Sequence, residues 1–220
     1  MPRFRLALLC ALCLLAACSD SPPELAEARL IPVFEFSQEK TRPSMFVHLL
    51  VHPTSDLTLA DSIALVQPDT GFVWRVTGAT ALENPDAPWV TGPRLAPAVG
   101  AGFSEGTYRV VYTDSSERAA QVEAPLTYLP EILSATIDTV AQYLPDNAAR
   151  RLAVYDAQGF LLYFGSRGSD LGDDTAIRAK YPLAFSWREC ISPPGNALGV
   201  LLPMTYANIE EITLGDETDA

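Results

Sequence analysis

The sequence contains few of the residues that most often perform catalysis or bind metal ions. Its 220 residues include two histidines, His48 and His52, and four cysteines. Both histidines lie in an apolar run that is typical of a β-strand, where residues four apart share one face at a distance of about 13 Å. A zinc ion binds each of its ligands at about 2 Å. One zinc ion therefore cannot bind both, and we expect no metal site.

Positive charge is also scarce. The chain has 15 lysines and arginines against 27 aspartates and glutamates, which gives a formal net charge of −12 at pH 7. A surface this acidic repels the phosphate backbone of nucleic acids. We therefore expect no nucleic-acid partner.

A long apolar run occurs at the start of the chain. It covers residues 6–17, twelve residues in all, and follows Arg3 and Arg5. A membrane-spanning helix needs about 20 apolar residues, whereas basic residues followed by a short apolar run are typical of a secretory signal peptide. Residues 1–17 are therefore predicted to be a signal peptide.

The apolar run ends in Leu15-Ala16-Ala17-Cys18, which resembles the lipobox of bacterial lipoproteins. The resemblance implies that Leu15, Ala16 and Ala17 are recognised by the lipoprotein signal peptidase, and that Cys18 carries a diacylglycerol thioether and an acylated amino group. Two or more acyl chains anchor a protein stably in a membrane. We therefore expect a cell-envelope protein that contacts the outer membrane, or the periplasmic face of the inner membrane, through this covalent lipid and uses no other cofactor.

Processing at this site leaves Cys190 as the remaining free cysteine. No intramolecular disulfide is then possible, so the fold must depend on its hydrophobic core. A single cysteine is most often a small buried apolar residue. We predict that Cys190 is buried.

Most of the mature chain has β-strand signals, which indicate a mainly β protein. Residues 18–30 are polar and contain prolines, so we predict a tether there, and we predict a disordered tail over residues 215–220. Residues 31–124 and 125–214 are predicted to be two β-rich units. Residues 78–105 contain four prolines and four glycines and are predicted to be mainly loops.

The first unit resembles an immunoglobulin-like or fibronectin-like sandwich. The resemblance is in residues 106–114, GTYRVVYTD, in which Tyr108, Val110 and Tyr112 alternate with polar residues before a turn and a second strand at residues 119–124. In such sandwiches a tyrosine in this position holds a loop through its hydroxyl, and Tyr108 is the candidate.

The second unit contains two pairs of strand signals and one or two short helices. Residues 151–156 and 160–165 are predicted to form a hairpin around Gly159, and residues 182–188 and 198–204 are predicted to be strands. Asp173 and Asp174 are expected to cap a helix over residues 175–180. Residues 132–144 fit either a helix or a strand.

Several short motifs contain residue types that occur at functional sites. The GFSEG motif at 102–106 matches G-x-S-x-G, but it precedes a strand instead of a helix, so we interpret it as a loop. Asp170, Asp173 and Asp174 lack the spacing of a calcium loop. Trp74 and Trp187 are predicted to be core residues, whereas Trp89 follows Pro88 in the long loop and is predicted to be an exposed partner contact.

These features favour a non-catalytic, lipid-anchored module that binds or scaffolds an envelope protein or glycan, similar to uncharacterised envelope lipoproteins. The alternative is an envelope hydrolase that uses an Asp/Glu pair. Two carboxylates about 5–9 Å apart in a cleft would favour the hydrolase, whereas an exposed aromatic surface would favour binding.

The lipid anchor can be tested by metabolic labelling with a palmitate analogue. The wild-type protein is expected to incorporate the label, and Cys18→Ala is expected to lose it because the acceptor sulfur is gone. Cys190→Ala is the matched control and should label like the wild type. Undiminished labelling of Cys18→Ala would refute the anchor.

Overall fold

The computed structural model describes residues 23–54, 60–78, 80–82, 89–99 and 102–203. The predicted signal peptide, Cys18 and the predicted tail lie outside the described residues. So does the end of the second predicted unit, from residue 204.

The described residues form a mainly β fold, as predicted. The strands of the first half are β1 (Leu25–Glu35), β2 (Ser44–Pro53), β3 (Ala60–Val66), β4 (Val73–Thr77), β5 (Thr80–Leu82), β6 (Trp89–Thr91), β7 (Gly106–Asp114) and β8 (Ala119–Leu126). Those of the second half are β9 (Ala149–Tyr155), β10 (Leu161–Gly165), β11 (Ser186–Ser192) and β12 (Gly199–Leu201). An α-helix, α1 (Asp174–Lys180), lies between β10 and β11, and short 3-10 turns cover Pro130–Ser134, Val140–Tyr143, Ser169–Leu171 and Pro194–Asn196.

The strands form two sheets. Sheet one has the order β10-β9-β11-β12-β1-β2-β6-β5, and sheet two has the order β4-β3-β7-β8. Sheet one therefore contains strands from both predicted units, and the division after residue 124 does not separate the sheets. The reason is that β1 has partners on both edges, since it pairs antiparallel with β2 and parallel with β12.

Strand β1 also corrects the predicted tether. The strand begins at Leu25, and Ala28 and Leu30 are buried, although both were assigned to the tether. They pair with Val51 and Leu49 of β2 and face the core between the sheets. The exposed Arg29 between them gave the segment a polar composition that concealed the strand.

Hydrophobic side chains cover both faces of sheet one. Between the two sheets lies a core that includes Leu49, Ile63, Leu65, Tyr108 and Tyr112. On the other face lies a second core, which we call the inner core; it includes Ile31, Val33, Phe46, Tyr155 and Cys190. The predicted burial of Cys190 is confirmed, and burial raises the pKa of its thiol to about 12.

The predicted hairpin of the first unit is confirmed. Tyr108, Val110 and Tyr112 of β7 are buried while Thr107 and Arg109 are exposed, and β7 pairs with β8 along its length. The Tyr108 hydroxyl donates a hydrogen bond of 2.9 Å to the carbonyl oxygen of Ser104, so it holds the preceding loop as expected.

Local signals in the second half are also confirmed. Strands β9 and β10 form the expected hairpin, with Gly159 at a φ of 85° that suits glycine. Asp173 caps α1 by accepting a 2.8 Å hydrogen bond from the amide of Ala176.

Two local expectations need correction. Residues 132–144 form neither a strand nor an α-helix but parts of two 3-10 turns, because Thr139 Oγ1 hydrogen-bonds the amide of Thr136 and competes with regular helical bonding. The region 78–105 contains β5 and β6 as well as loops, because β6 gains a partner in β2, which is distant in sequence.

The Tyr108 hydrogen bond can be tested by substitution. Tyr108→Phe is expected to lower the free energy of unfolding by about 1 kcal/mol, because the partly buried Ser104 carbonyl loses its donor. The measurement is urea unfolding of the mature domain. Tyr143→Phe is the control, since the Tyr143 hydroxyl makes no hydrogen bond within the described residues, and equal stability of the two variants would contradict the assignment.

Candidate functional site

An open groove lies between strand β4 and the segment of residues 93–99. Its volume is about 620 Å³. Its walls are predominantly apolar, and the residues that line it are Phe72, Trp74, Arg75, Val76, Pro93, Arg94, Leu95, Ala96, Pro97, Ala98 and Val99. We call this feature the β4 groove.

One wall of the β4 groove is the edge of a sheet. Strand β4 is the terminal strand of sheet two and pairs with β3 on one side. Within the described ranges no strand pairs with its other side. An edge strand presents backbone N–H and C=O groups that can pair with another chain.

Aromatic rings support this wall. The Trp74 ring stacks on Phe103 at 4.9 Å between centroids, and Phe72 meets Trp74 edge-on at 4.6 Å. Trp74 Nε1 donates a 2.7 Å hydrogen bond to the carbonyl oxygen of Ala96, which joins the two walls. Trp74 is therefore half-buried, at the margin of the core in which it was predicted.

Large apolar side chains are exposed beside the groove. Phe72 is 41% exposed, Val73 is 46% exposed and Val99 is fully exposed. Complete burial of a fully exposed side chain of this kind is worth about 1.5–3 kcal/mol, and Phe72 and Val73 can gain the part of this that corresponds to their exposed surface. The surface around the β4 groove can therefore gain free energy when a partner covers it.

The opposite wall is attached to sheet one. Leu95 and Val47 of β2 exchange two backbone hydrogen bonds of 3.0 Å. The amide of Arg94 donates a 3.3 Å hydrogen bond to the carbonyl oxygen of Gly159, in the turn between β9 and β10. Residues 94 and 95 thus attach this wall to sheet one at two places, strand β2 and the β9–β10 turn.

The Arg94 side chain strengthens this attachment. Its guanidinium lies over the rings of Phe46 and Tyr155, at 4.9 and 4.1 Å from their centroids. Arg94 Nη1 also lies 3.4 Å from Glu35 Oε1, a carboxylate that Arg188 binds as well. The cation is therefore balanced by a carboxylate and by two aromatic faces.

A buried histidine lies next to this arginine. His48 is 1% exposed, and its Nε2 is 3.1 Å from the Tyr155 hydroxyl. Burial, assisted by the positive charge of Arg94, lowers the pKa of His48 to about 3, and burial raises the pKa of Tyr155. Both groups are neutral near pH 7, so this pair acts as a hydrogen-bonded part of the core.

The predicted exposure of Trp89 is wrong. Trp89 is 4% exposed and belongs to the inner core, because β6 pairs with β2 and β5 and directs the indole to that face. Its ring contacts His52 at 5.4 Å, and the Arg29 guanidinium lies 4.6 Å from the ring centroid.

The other motifs have structural roles. Ser104 of the GFSEG motif accepts a hydrogen bond from Gln67 and donates one to Asp69, and Gly106 begins β7, so the motif is a loop before a strand. The remaining partly buried tryptophan, Trp187, donates to Asp174 at 3.0 Å.

Asp170 forms an ion pair with Lys180 at 2.9 Å. In the part of the chain that the structure describes, no three His, Cys, Asp or Glu side chains are close enough together to hold a metal ion.

Sequence reasoning missed the β4 groove. Phe72 and Trp74 alternate with Val73 and Arg75 at the start of β4, which is a usable local signal. The second wall depends on the pairing of Val47 with Leu95, and no local pattern indicates that pairing.

His48 makes stability depend on pH. Its pKa is lower in the folded state than in the unfolded state, so protonation favours unfolding and stability falls as the pH drops below about 6.5. Between pH 6.5 and 4.5 the wild type is expected to lose about 2–3 kcal/mol more than His48→Gln, which keeps a polar partner for Tyr155 but does not titrate. Urea unfolding at each pH is the measurement.

The control for this experiment is His52→Gln, on the same strand but only half-buried. It should keep the steep pH dependence of the wild type. If the stability of His48→Gln falls as steeply with pH as that of the wild type, the assignment of His48 as a buried, neutral imidazole is refuted.

Comparison of the chain with models of protein families, with curated proteins and with solved structures finds no match. Across the described residues, no helix combines the length and apolar character that crossing a bilayer requires.

Proposed function

We propose that this protein is a non-catalytic, lipid-anchored module of the bacterial cell envelope that binds a polypeptide partner in the β4 groove. The observation that carries the proposal is the groove itself: exposed Phe72, Val73 and Val99 surround the free edge of a sheet. Exposed apolar clusters on soluble domains commonly mark interaction sites. The backbone groups of the edge strand favour a polypeptide over a glycan as the partner.

The construction of the groove supports binding without a large rearrangement. One wall is a strand of sheet two, and the other is held to sheet one by the Val47–Leu95 backbone hydrogen bonds and by Arg94. A site whose walls are already fixed loses little conformational entropy when a partner binds.

The proposed anchor sets the distance to the membrane. Six residues separate Cys18 from Leu25, where β1 begins. Six extended residues span about 20 Å at most. The start of β1 would therefore lie close to the lipid-bearing Cys18.

We also propose that β1–β8 are an immunoglobulin-like sandwich, extended by β9–β12. In that fold one sheet has the strand order A-B-E-D and the other contains C, F and G. The orders β1-β2-β6-β5 and β4-β3-β7-β8 are compatible with A-B-E-D and C′-C-F-G if β4 is the extra strand C′ of the variable type. The Tyr108–Ser104 hydrogen bond supports the same assignment, since it has the form of a tyrosine corner.

Site-specific photocrosslinking in the source bacterium tests the proposed function. Val99→p-benzoylphenylalanine places the crosslinker beside the groove, and we expect a discrete protein adduct in the membrane fraction. Leu183→p-benzoylphenylalanine is the matched control, because Leu183 is an exposed apolar residue that does not line the groove.

Cys18→Ala combined with the Val99 crosslinker tests the role of the anchor. Loss of the lipid should remove the adduct from the membrane fraction or reduce its yield. Equal adducts from the Val99 and Leu183 positions, or none from either, would overturn the proposed binding role.

A further inference from the structure

We infer that the partner binds by strand addition to β4, as an extended segment in which apolar and acidic side chains alternate. This inference rests on the proposed function and specifies its partner. It follows from the backbone edge, the charge and the side-chain periodicity of the β4 groove.

The backbone edge provides the main-chain contacts. Strand β4 is five residues long, and β3 occupies one of its edges. Residues 74–76 of this strand line the groove, together with Phe72 just before it. An extended segment lying in the groove would run beside the free edge, where main-chain hydrogen bonds provide affinity and alternate side chains provide specificity.

The charge of the groove selects acidic residues. The lining contains Arg75 and Arg94 and no acidic residue, on a chain whose formal net charge is −12. Arg94 is already balanced by Glu35. Arg75 is exposed and has no ion-pair partner within the described residues. A carboxylate on an added strand would therefore be its first ion-pair partner.

The alternation of side chains along β4 favours a partner strand in which apolar and acidic side chains also alternate. Trp74 and Val76 pair with Leu65 and Ile63 of β3 and belong to the core side of sheet two. Val73, Arg75 and Thr77 therefore lie on the opposite face. A strand added beside β4 would place apolar side chains next to Trp74 and Val76, and its acidic side chains next to Arg75.

The same strand disfavours a second copy of this chain as the occupant. Arg75 is the middle residue of β4. Antiparallel pairing of two β4 strands about their centre would place Arg75 opposite its copy, and directly opposed like charges are destabilising. A different, acidic chain is the better partner.

Synthetic peptides test the inference on the purified mature domain. The probe is a fluorescein-labelled seven-residue peptide of alternating valine and glutamate, and its Kd is measured by fluorescence anisotropy. We expect it to bind about tenfold or more tightly than the valine–lysine peptide. An extended peptide presents alternate amide nitrogens on its two edges. Methylating the nitrogens of both edges should abolish binding. Of the two peptides that are methylated on one edge only, at least one should still bind, because its other edge can pair with β4.

Charge-reversal variants locate the site. Arg75→Glu should weaken the valine–glutamate peptide about tenfold and improve binding of the valine–lysine peptide. Arg109→Glu is the matched control, since Arg109 is exposed on the same face of sheet two but lies on the central strand β7. It should leave both Kd values nearly unchanged, and unfolding curves establish that both variants are folded.

The outcomes separate this inference from the proposed function. A Val99 adduct together with equal binding of both peptides, or with binding that survives methylation of both edges, overturns strand addition and leaves the binding role intact. Absence of a Val99 adduct overturns the binding role itself. A dimer in sedimentation velocity that Arg75→Ala stabilises, because it removes the repulsion between the two opposed arginines, would identify a second copy as the occupant and would also overturn the inference.

Discussion

The position of Arg94 between the rings of Phe46 and Tyr155 is the interaction on which much of this structure depends. Phe46 lies on β2 and Tyr155 on β9, which are four strands apart in sheet one. Sheet one must therefore curve until these two strands approach the same guanidinium. The Arg94 guanidinium that holds β2 and β9 together is itself only partly exposed. Its partial burial is tolerated because the Glu35 carboxylate lies within reach. The same contact fixes one wall of the β4 groove, so the inner core and the exposed surface are coupled through one side chain.

Strand β1 determines how the two halves of the chain combine. Residues 30–34 are buried on both faces, a pattern that belongs to the middle of a sheet. A strand with both faces covered needs a partner on each edge, and β12 provides the second one. The inner core then draws Ile31 and Val33 from the start of the chain and Tyr155 and Cys190 from its second half. Neither half could bury these residues alone.

The sequence predicted the features that depend on neighbouring residues. The β7–β8 hairpin, the Asp173 cap and the turn at Gly159 follow from alternation, capping preference and positive φ, which operate over a few residues. The burial of Trp89, the start of β1 at Leu25 and the β4 groove could not be predicted in this way. Each depends on pairing between distant residues, such as Ala28 with Val51 or Val47 with Leu95. The polar composition around Arg29 concealed β1, and the prolines of residues 78–105 concealed the pairing of that region with sheet one.

The parallel pairing of β1 with β12 has a consequence for the order in which the molecule assembles. The first strand of the described chain lacks one neighbour until residues 199–201 have been made and, if the protein is exported, translocated. Contacts between residues so far apart in sequence form slowly. During that interval Ile31, Val33 and the free edge of β1 are open to misassembly with other chains. A holding chaperone that recognises extended apolar strands would therefore favour the correct product.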